Sequence, residues 1–267
     1  MLNTRAGLQI AQLLLATSCN GPSKPAATEV CALTVFAASS LTDVAEAVRK
    51  DFVKEHSGCK VTFNFGASNA LSLQIEAGAH ADVFLSAAGA PVDHLLASGK
   101  VEASPKRDLF SNRLVFISNS SGSIEVKDAC ALKDASLERV VIGQTDAVHA
   151  GAYAKAYLSK VKCADGQTPW SALEPRLLPM PNVRAVLSVV EQQPKLGGFV
   201  YQSDALTSKA VKTQFVVQGA DSPRIEYYGV RVGPSNQAKY SDAFLAEFSK
   251  PGVQNTIRAM GFVIDKS

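Results

Sequence analysis

After residue 30 the chain keeps returning to one unit: a short apolar run, a tight turn of small residues, then a helix with an apolar stripe. "ALTVFAA" leads through two serines into a helix with Leu41, Val44, Ala45, Val48 and Phe52 on one face, ended near Gly58. "KVTFNF" passes through "GASN" into "ALSLQIEAG", and "DVFLSA" through "AGAP" into "VDHLLASG". "RVVIGQT" passes through "DAVHAG" into "AYAKAYLSKV", "PRLLPMPN" into "VRAVLSVVEQ" and "LGGFVYQ" into "SDALTSK". "RLVFIS" reads as a strand with no strong helix behind it; "TQFVVQG", "IEYYGVRV" and a helical tract with Phe244, Leu245, Phe248, Val253 and Ile257 close the chain. Apolar strands alternating with helices require mainly parallel sheets covered on both faces. Such sheets bind ligands beyond the carboxyl ends of their strands, which is where these turns lie. The 267 residues suffice for two α/β lobes with a cleft between them.

The first thirty residues are different in kind. "MLNTRAGLQIAQLLLATSC" has an early Arg5 and then an apolar stretch too short to span a bilayer, the layout of a secretory signal. "Ala16-Thr17-Ser18-Cys19" resembles a bacterial lipobox, which makes Cys19 the lipidation candidate; ordinary cleavage near Ala16 to Ser18 is the alternative. The following "NGPSKPAATEV" has the composition of a tether. With Cys19 set aside, Cys31, Cys59, Cys130 and Cys163 remain, an even number in an exported chain, with three possible pairings. Cys31 and Cys59 open two apolar runs. If those are neighbouring parallel strands the two cysteines are within reach, so Cys31–Cys59 with Cys130–Cys163 is preferred.

Apolar residues at 46% and charged residues at 19% describe a globular chain, and a net charge of +3 with no basic stripe argues against nucleic acid. The chemistry is in the turns. "AASSL" (37–41), "GASNA" (66–70), "AVHAG" (147–151) and "PNVRA" (181–185) offer hydroxyls, small residues and the free N–H groups of helix starts, a ready anion site. Tyr201, in "FVYQSDA", adds a phenolic donor at the end of a strand. Taken singly, each turn is an ordinary helix start: Ser40 with Asp43 reads as a capping-box variant, and Asn182 as a plain cap. Taken together, and nearly free of basic side chains, they suit a compact dianion held by neutral donors. Arg184, the one cation close by, is expected on a helix flank.

"LTVFAASSLTDVAEAVRKDF", "FNFGASNALSLQIEAGAHADVFLSA", "AGAYAKAYL", "NVRAVLSVVEQ" and "LGGFVYQSDAL" resemble the periplasmic molybdate-binding proteins of bacterial ABC importers, in the same order over about residues 33 to 264. The resemblance implies a periplasmic-binding-protein type II fold: a signal, lipobox and tether over 1–30, a first lobe over 31–112, a second over 113–226, and a return to the first over 227–267. The crossings between lobes should fall near 110–114 and 224–229. It also implies a tetrahedral oxyanion, molybdate or tungstate, bound by the Ser40 and Ser68 hydroxyls, by backbone amides at Ala150 and Val183, and by Tyr201. Ser39 stands where many relatives carry alanine; it is read either as structural or as an additional ligand contact. His149 stands where relatives usually carry proline; it is either an exposed loop residue or, protonated, an added charge with pH dependence. The further implications are no catalysis and no cofactor, a monomer that delivers its anion to a permease and its ATPase, and a periplasmic location with an optional lipid anchor.

Two rival readings are distinguishable. "GASNA" is close to a G-x-S-x-G nucleophile elbow, but its last glycine is Ala70 and no late histidine follows to complete a serine hydrolase. Sulfate has the shape and charge of molybdate and differs in size alone. Phosphate carries a proton at neutral pH and would need a carboxylate acceptor, for which Asp43 and Asp146 are the nearest candidates.

Overall fold

The computed structural model describes residues 1–2, 30–99, 106–233 and 235–264. Cys19, and the signal and tether expected before residue 30, lie outside the described residues except for Met1, Leu2 and Val30. From Cys31 onward the chain is one compact unit. Its elements in order are β1 (Ala32–Ala38), α1 (Thr42–Glu55), β2 (Lys60–Gly66), α2 (Ser68–Glu76), β3 (Val83–Ser86), α3 (Gly89–Ala97) and β4 (Arg107–Asn112). Then come β5 (Leu114–Asn119), β6 (Arg139–Gly143), α4 (His149–Lys160), α5 (Pro169–Leu173), β7 (Leu177–Met180) and α6 (Val183–Gln192). β8 (Leu196–Tyr201), α7 (Gln202–Leu206), β9 (Val211–Val216), β10 (Ile225–Arg231), α8 (Ala238–Glu247) and α9 (Pro251–Ala259) complete them.

The strands form two sheets of five, ordered β2-β1-β3-β10-β4 and β7-β6-β8-β5-β9. The two orders are the same pattern: a βαβαβ unit contributes three parallel strands, and an antiparallel pair is added at one side. Each sheet therefore has two parallel and two antiparallel pairings, with β1 parallel to β2 and β3, and β10 antiparallel to β3 and β4. The second lobe repeats this around β6 and β5. Because β10 opposes both its neighbours and β5 both of its own, four of the five strands in each sheet run the same way, as expected of mainly parallel sheets. The reversed strands, β10 and β5, are those the chain enters on arriving from the other lobe without a crossover helix, so nothing forces them to run parallel.

The first crossing is the single residue Arg113, between β4 and β5; the second is the segment 217–224, between β9 and β10. Residues 225 and 226, placed in the second lobe by sequence, are the first two of β10 and pair with Asn112 and Ser111 in the first sheet. Strand β4, which follows α3, is missing from the sequence reading.

Packing explains the continuous apolar runs. All residues of β3, β5 and β8 are buried, as strands covered on both faces must be. The predicted stripe of α1 is buried, and Phe52 meets Phe244 of α8 edge-on with ring centroids 5.4 Å apart. In the second lobe Phe116, Phe199 and Phe215 pack around one another at 5.0–6.2 Å. One close approach shapes the cleft directly. A Cβ on Gly151, in the first turn of α4, would lie 2.0 Å from the Gly143 carbonyl oxygen at the end of β6. Only glycine lets this helix start lie so close to the strand that feeds it.

Disulfides join Cys31 to Cys59 and Cys130 to Cys163. The first ties the starts of adjacent strands β1 and β2, where Ala32 pairs with Lys60. The second spans 33 residues of sequence in the second lobe, a loop whose closure is worth about 3–4 kcal/mol on the chain-entropy model. Removing it as C130S/C163S should lower stability by about 2–4 kcal/mol in urea titration without changing the sheets; a change below about 0.5 kcal/mol would mean that the reduced unfolded state is already constrained.

Candidate functional site

The carboxyl ends of the parallel strands of both sheets face one cavity of about 20 Å³, on a measure by which one water needs roughly 10–15 Å³. It is thus sized for one compact group. The turn after β1 contributes Ser39 and Ser40, the turn after β2 contributes Gly66 and Ser68, and Ala87 follows β3. From the other lobe come His149 and Ala150 at the start of α4, Val183 at the start of α6, and Tyr201 at the end of β8. All seven residues that sequence and resemblance single out for the ligand are brought together there. None of the lining residues is Lys, Arg, Asp or Glu.

The donors are specific atoms. The first helical N–H bonds in α2, α4 and α6 run from Leu71 to Ala67, from Ala152 to Val148 and from Val186 to Asn182. The N–H groups of the preceding three residues in each helix therefore have no helical acceptor. The Asn182 side chain takes up the one on Ala185 at 2.9 Å, while α1, α2 and α4 have no side-chain cap. Ser40 is consequently not part of a capping box: α1 begins at Thr42, and the Ser40 oxygen instead accepts the Tyr227 hydroxyl at 3.1 Å. The Ser68 oxygen accepts the Ala87 N–H at 3.0 Å. Each serine oxygen thus receives a hydrogen bond from the protein and keeps its own proton to donate.

Charge is excluded as consistently as donors are collected. Burial raises the Tyr201 phenol well above its ordinary value and raises that of Tyr227 as well, so both stay protonated. His149 is the first residue of α4 and half-buried beside Tyr153, not an exposed loop residue; burial lowers its pKa and keeps it neutral at neutral pH. Asp43 and Asp146, the possible acceptors for a protonated ligand, do not line the cavity. Asp43 is bound to Arg184, and Asp146 is exposed.

Arg184 sits on the flank of α6 and spans the lobes, reaching Asp43 of α1 on one side and Asp204 of α7 at 2.7 Å on the other. A second contact between lobes is the Asn69 amide, which donates to the Ala147 carbonyl at 3.3 Å. Arginine and asparagine therefore close the mouth of the cleft beside the cavity. No group of His, Cys, Asp and Glu among the described residues could hold a metal ion. Sequence reasoning misses Ala87 and Tyr227. Ala87 was legible as the residue at the carboxyl end of β3; Tyr227 comes from a strand 187 residues away from its partner Ser40, and no local pattern marks it.

Residues 33–263 match the family model of the bacterial extracellular solute-binding proteins. The chain belongs to that family. Solute-binding proteins among its relatives include the molybdate-binding protein ModA of Escherichia coli K12, 31% identical over 87% of this chain and 89% of that protein. The ModA of Haemophilus influenzae is also 31% identical, over 86% and 89%. A Bacillus subtilis protein named "Putative ABC transporter substrate-binding lipoprotein YvgL" is 32% identical over 74% of each chain. Among solved structures, the periplasmic molybdate-binding protein of Azotobacter vinelandii superposes with a TM-score of 0.76 at 18% identity, covering 88% of this chain and all of that one. The sulfate-binding protein SubI of Mycobacterium tuberculosis reaches 0.74 at 18%, covering 88% of each. At those identities the two structures speak for the shared fold. No helix among the described residues is long and apolar enough to cross a membrane.

Asp204 gives this solute-binding protein a titration of its own. It is fully buried, accepts the Tyr201 N–H at 3.3 Å, and has its pKa pushed up by burial to about 6 against the pull of Arg184. A carboxyl raised above its ordinary 3.8 holds its proton more tightly folded than unfolded. Its stabilising contribution is full below the unfolded value and is lost as pH rises through the folded one. Calorimetric Tm of the protein and of D204N should thus differ by an amount that changes between about pH 4 and pH 7 and levels off above. A constant difference across that window would mean that Asp204 titrates alike in both states.

Proposed function

We propose that this chain is the solute-binding component of an ABC importer that captures molybdate, and tungstate with it, and hands the oxyanion to a membrane permease coupled to an ATPase. The observation that carries this reading is the cavity itself: hydroxyl and amide donors from both lobes, no cation, and no carboxylate acceptor. The relatives named molybdate-binding, at 31% identity over most of both chains, support the same ligand.

An isolated dianion taken from water into a protein interior meets a Born penalty of tens of kcal/mol. Charge-assisted hydrogen bonds return roughly 1.5–3 kcal/mol each, so nearly every oxygen lone pair needs a donor. Ser40, Ser68, Tyr201 and the amides at Ala150 and Val183 are those donors on this reading. A hydrogen phosphate brings an O–H that finds no acceptor among them and is disfavoured. Sulfate differs in size, so discrimination against it rests on how closely the two lobes approach. Binding favours the closed arrangement, and the closed arrangement is what the permease would recognise. The protein would act as a monomer outside the cytoplasm, held to the membrane by lipid if Cys19 is modified, and would need no cofactor.

Calorimetric titration of the mature protein with molybdate, tungstate, sulfate and phosphate tests this. Tight binding of the first two with little response to the others is expected; an equal response to sulfate would reduce the function to general oxyanion capture, and silence from all four would refute it. Y201F should weaken molybdate binding by about 1–3 kcal/mol through loss of one donor, and unchanged affinity would remove Tyr201 from the site. S40A should weaken binding more than S39A, because only the Ser40 oxygen is oriented by a donor within the protein; the reverse ranking would move the ligand contact to Ser39.

A further inference from the structure

Tyr227 does not line the cavity, yet it contacts the serine that does. Its ring is fully buried, with its centroid 6.0 Å from that of Tyr201, and its hydroxyl reaches the Ser40 oxygen at 3.1 Å. Behind it stands Asn112, the last residue of β4 before the crossing at Arg113. The orientation of the Asn112 amide follows from its neighbours. Its Oδ1 is 2.8 Å from the Arg113 backbone N–H, a group that only donates, so an oxygen must face it. The Nδ2 then points the other way, to the Ser203 hydroxyl at 2.8 Å and to the Tyr227 hydroxyl at 3.4 Å. An amide NH₂ only donates, so the Tyr227 oxygen accepts from it, and the Ser40 oxygen at 3.1 Å is left as the acceptor for the phenol's own proton.

We infer that Asn112 and Tyr227 form a relay that sets the polarity of Ser40: with Tyr227 donating to its oxygen, the hydroxyl pairs its own proton by donating into the cavity, and accepting there would leave that proton unpaired. Each step follows from the donor and acceptor inventory. Asn112 gives a hydrogen bond to Tyr227, Tyr227 gives one to Ser40, and the proton of Ser40 is left to be paired by what lies in the cavity. Ser68 reaches the same state by a shorter route, through the Ala87 N–H. A serine left free could rotate and accept from a protonated oxyanion. Two serines set this way favour a fully deprotonated one, because accepting a ligand O–H would leave their own protons unpaired. Tyr227 and Asn112 are thus positioning residues that set proton-state selectivity at a site they do not touch. Asn112 also bonds Ser203 of the second lobe, so the relay starts where the chain passes between lobes.

The inference rests on the oxyanion reading for its consequence but not for its geometry, and two measurements separate them. Neutron diffraction from crystals of the ligand-free protein should find a proton on the Tyr227 hydroxyl directed at the Ser40 oxygen. A proton on Ser40 directed at Tyr227 would overturn the relay, whatever the protein binds. Titrations at about pH 8, where molybdate is a dianion and phosphate still carries a proton, read the consequence as the ratio of the two affinities. N112D exchanges the amide donor for a carboxylate that takes the Tyr227 proton, and so frees Ser40 to accept. It should narrow the molybdate-to-phosphate ratio roughly tenfold or more, a shift of about 1.4 kcal/mol. Added negative charge alone would weaken both dianions alike and leave the ratio in place.

Y227F should narrow the ratio as well, and N112D in the Y227F background should narrow it no further, because the relay passes through the phenol. An undiminished N112D effect in that background, or an unchanged ratio in both single variants with Tm preserved, would refute the relay. Silence of the unaltered protein toward all oxyanions would refute the proposed ligand, while the neutron result would still decide the polarity of Ser40.

Discussion

Backbone N–H groups left over at helix amino ends are the constraint around which the two lobes are arranged. Every helix start has them, and a buried donor without an acceptor costs about 1–3 kcal/mol. Most proteins meet the demand with a side-chain cap or leave the end in water. Here α2 and α4 have no side-chain cap and begin at a closed cleft, and the start of α6 is only partly satisfied by Asn182. Like partial charges facing one another across a gap repel. The lobes can approach only if something acid-free in the cavity accepts those donors, or if attraction elsewhere offsets the repulsion. Arg184 between Asp43 and Asp204, and Asn69 on the Ala147 carbonyl, supply such attraction beside the cavity without lending it charge.

The sheets serve this arrangement through their parallel halves. Strands β1, β2 and β3 in one lobe and β6, β7 and β8 in the other all end at the cavity, because parallel strands deliver every following helix start to the same edge. The antiparallel strands do something else. β4 runs into β5 with one residue between, so the first of the two connections between lobes is made by strand and not by a long loop. β10, returning from the second lobe, is wedged between β3 and β4 and brings Tyr227 under Ser40. One strand therefore belongs at once to the connection between lobes and to the support of the site.

What was legible in the sequence followed local chemistry. The strand–turn–helix units, the buried stripe of α1 and the four donor turns depend on residues within a dozen positions of one another, and their spacing carries the signal. The one reversed strand in each sheet was not legible, because direction depends on where a strand arrives from, and β5 and β10 arrive from the other lobe without a helix. Ser40 illustrates the limit at one residue. Its position before Asp43 matches a cap, and only the phenol of Tyr227 shows that its oxygen is engaged elsewhere. His149 illustrates another: a turn residue in sequence is a half-buried, neutral first residue of α4 once the helix packs on Gly143.

The placement of Arg184 bears on why a site for anions would hold no cation. A guanidinium in the cavity would attract any anion strongly and nearly regardless of its proton count, since Coulomb attraction falls slowly with distance and is indifferent to lone-pair geometry. Neutral donors act only at hydrogen-bond range and only on a bare lone pair, so they distinguish oxygen from hydroxyl. Two carboxylates hold the guanidinium on the helix flank, one of them buried and shared with the Tyr201 backbone. The same pairing that binds the lobes together thus keeps the strongest nearby charge out of the cavity, and leaves selection to groups whose direction the fold controls.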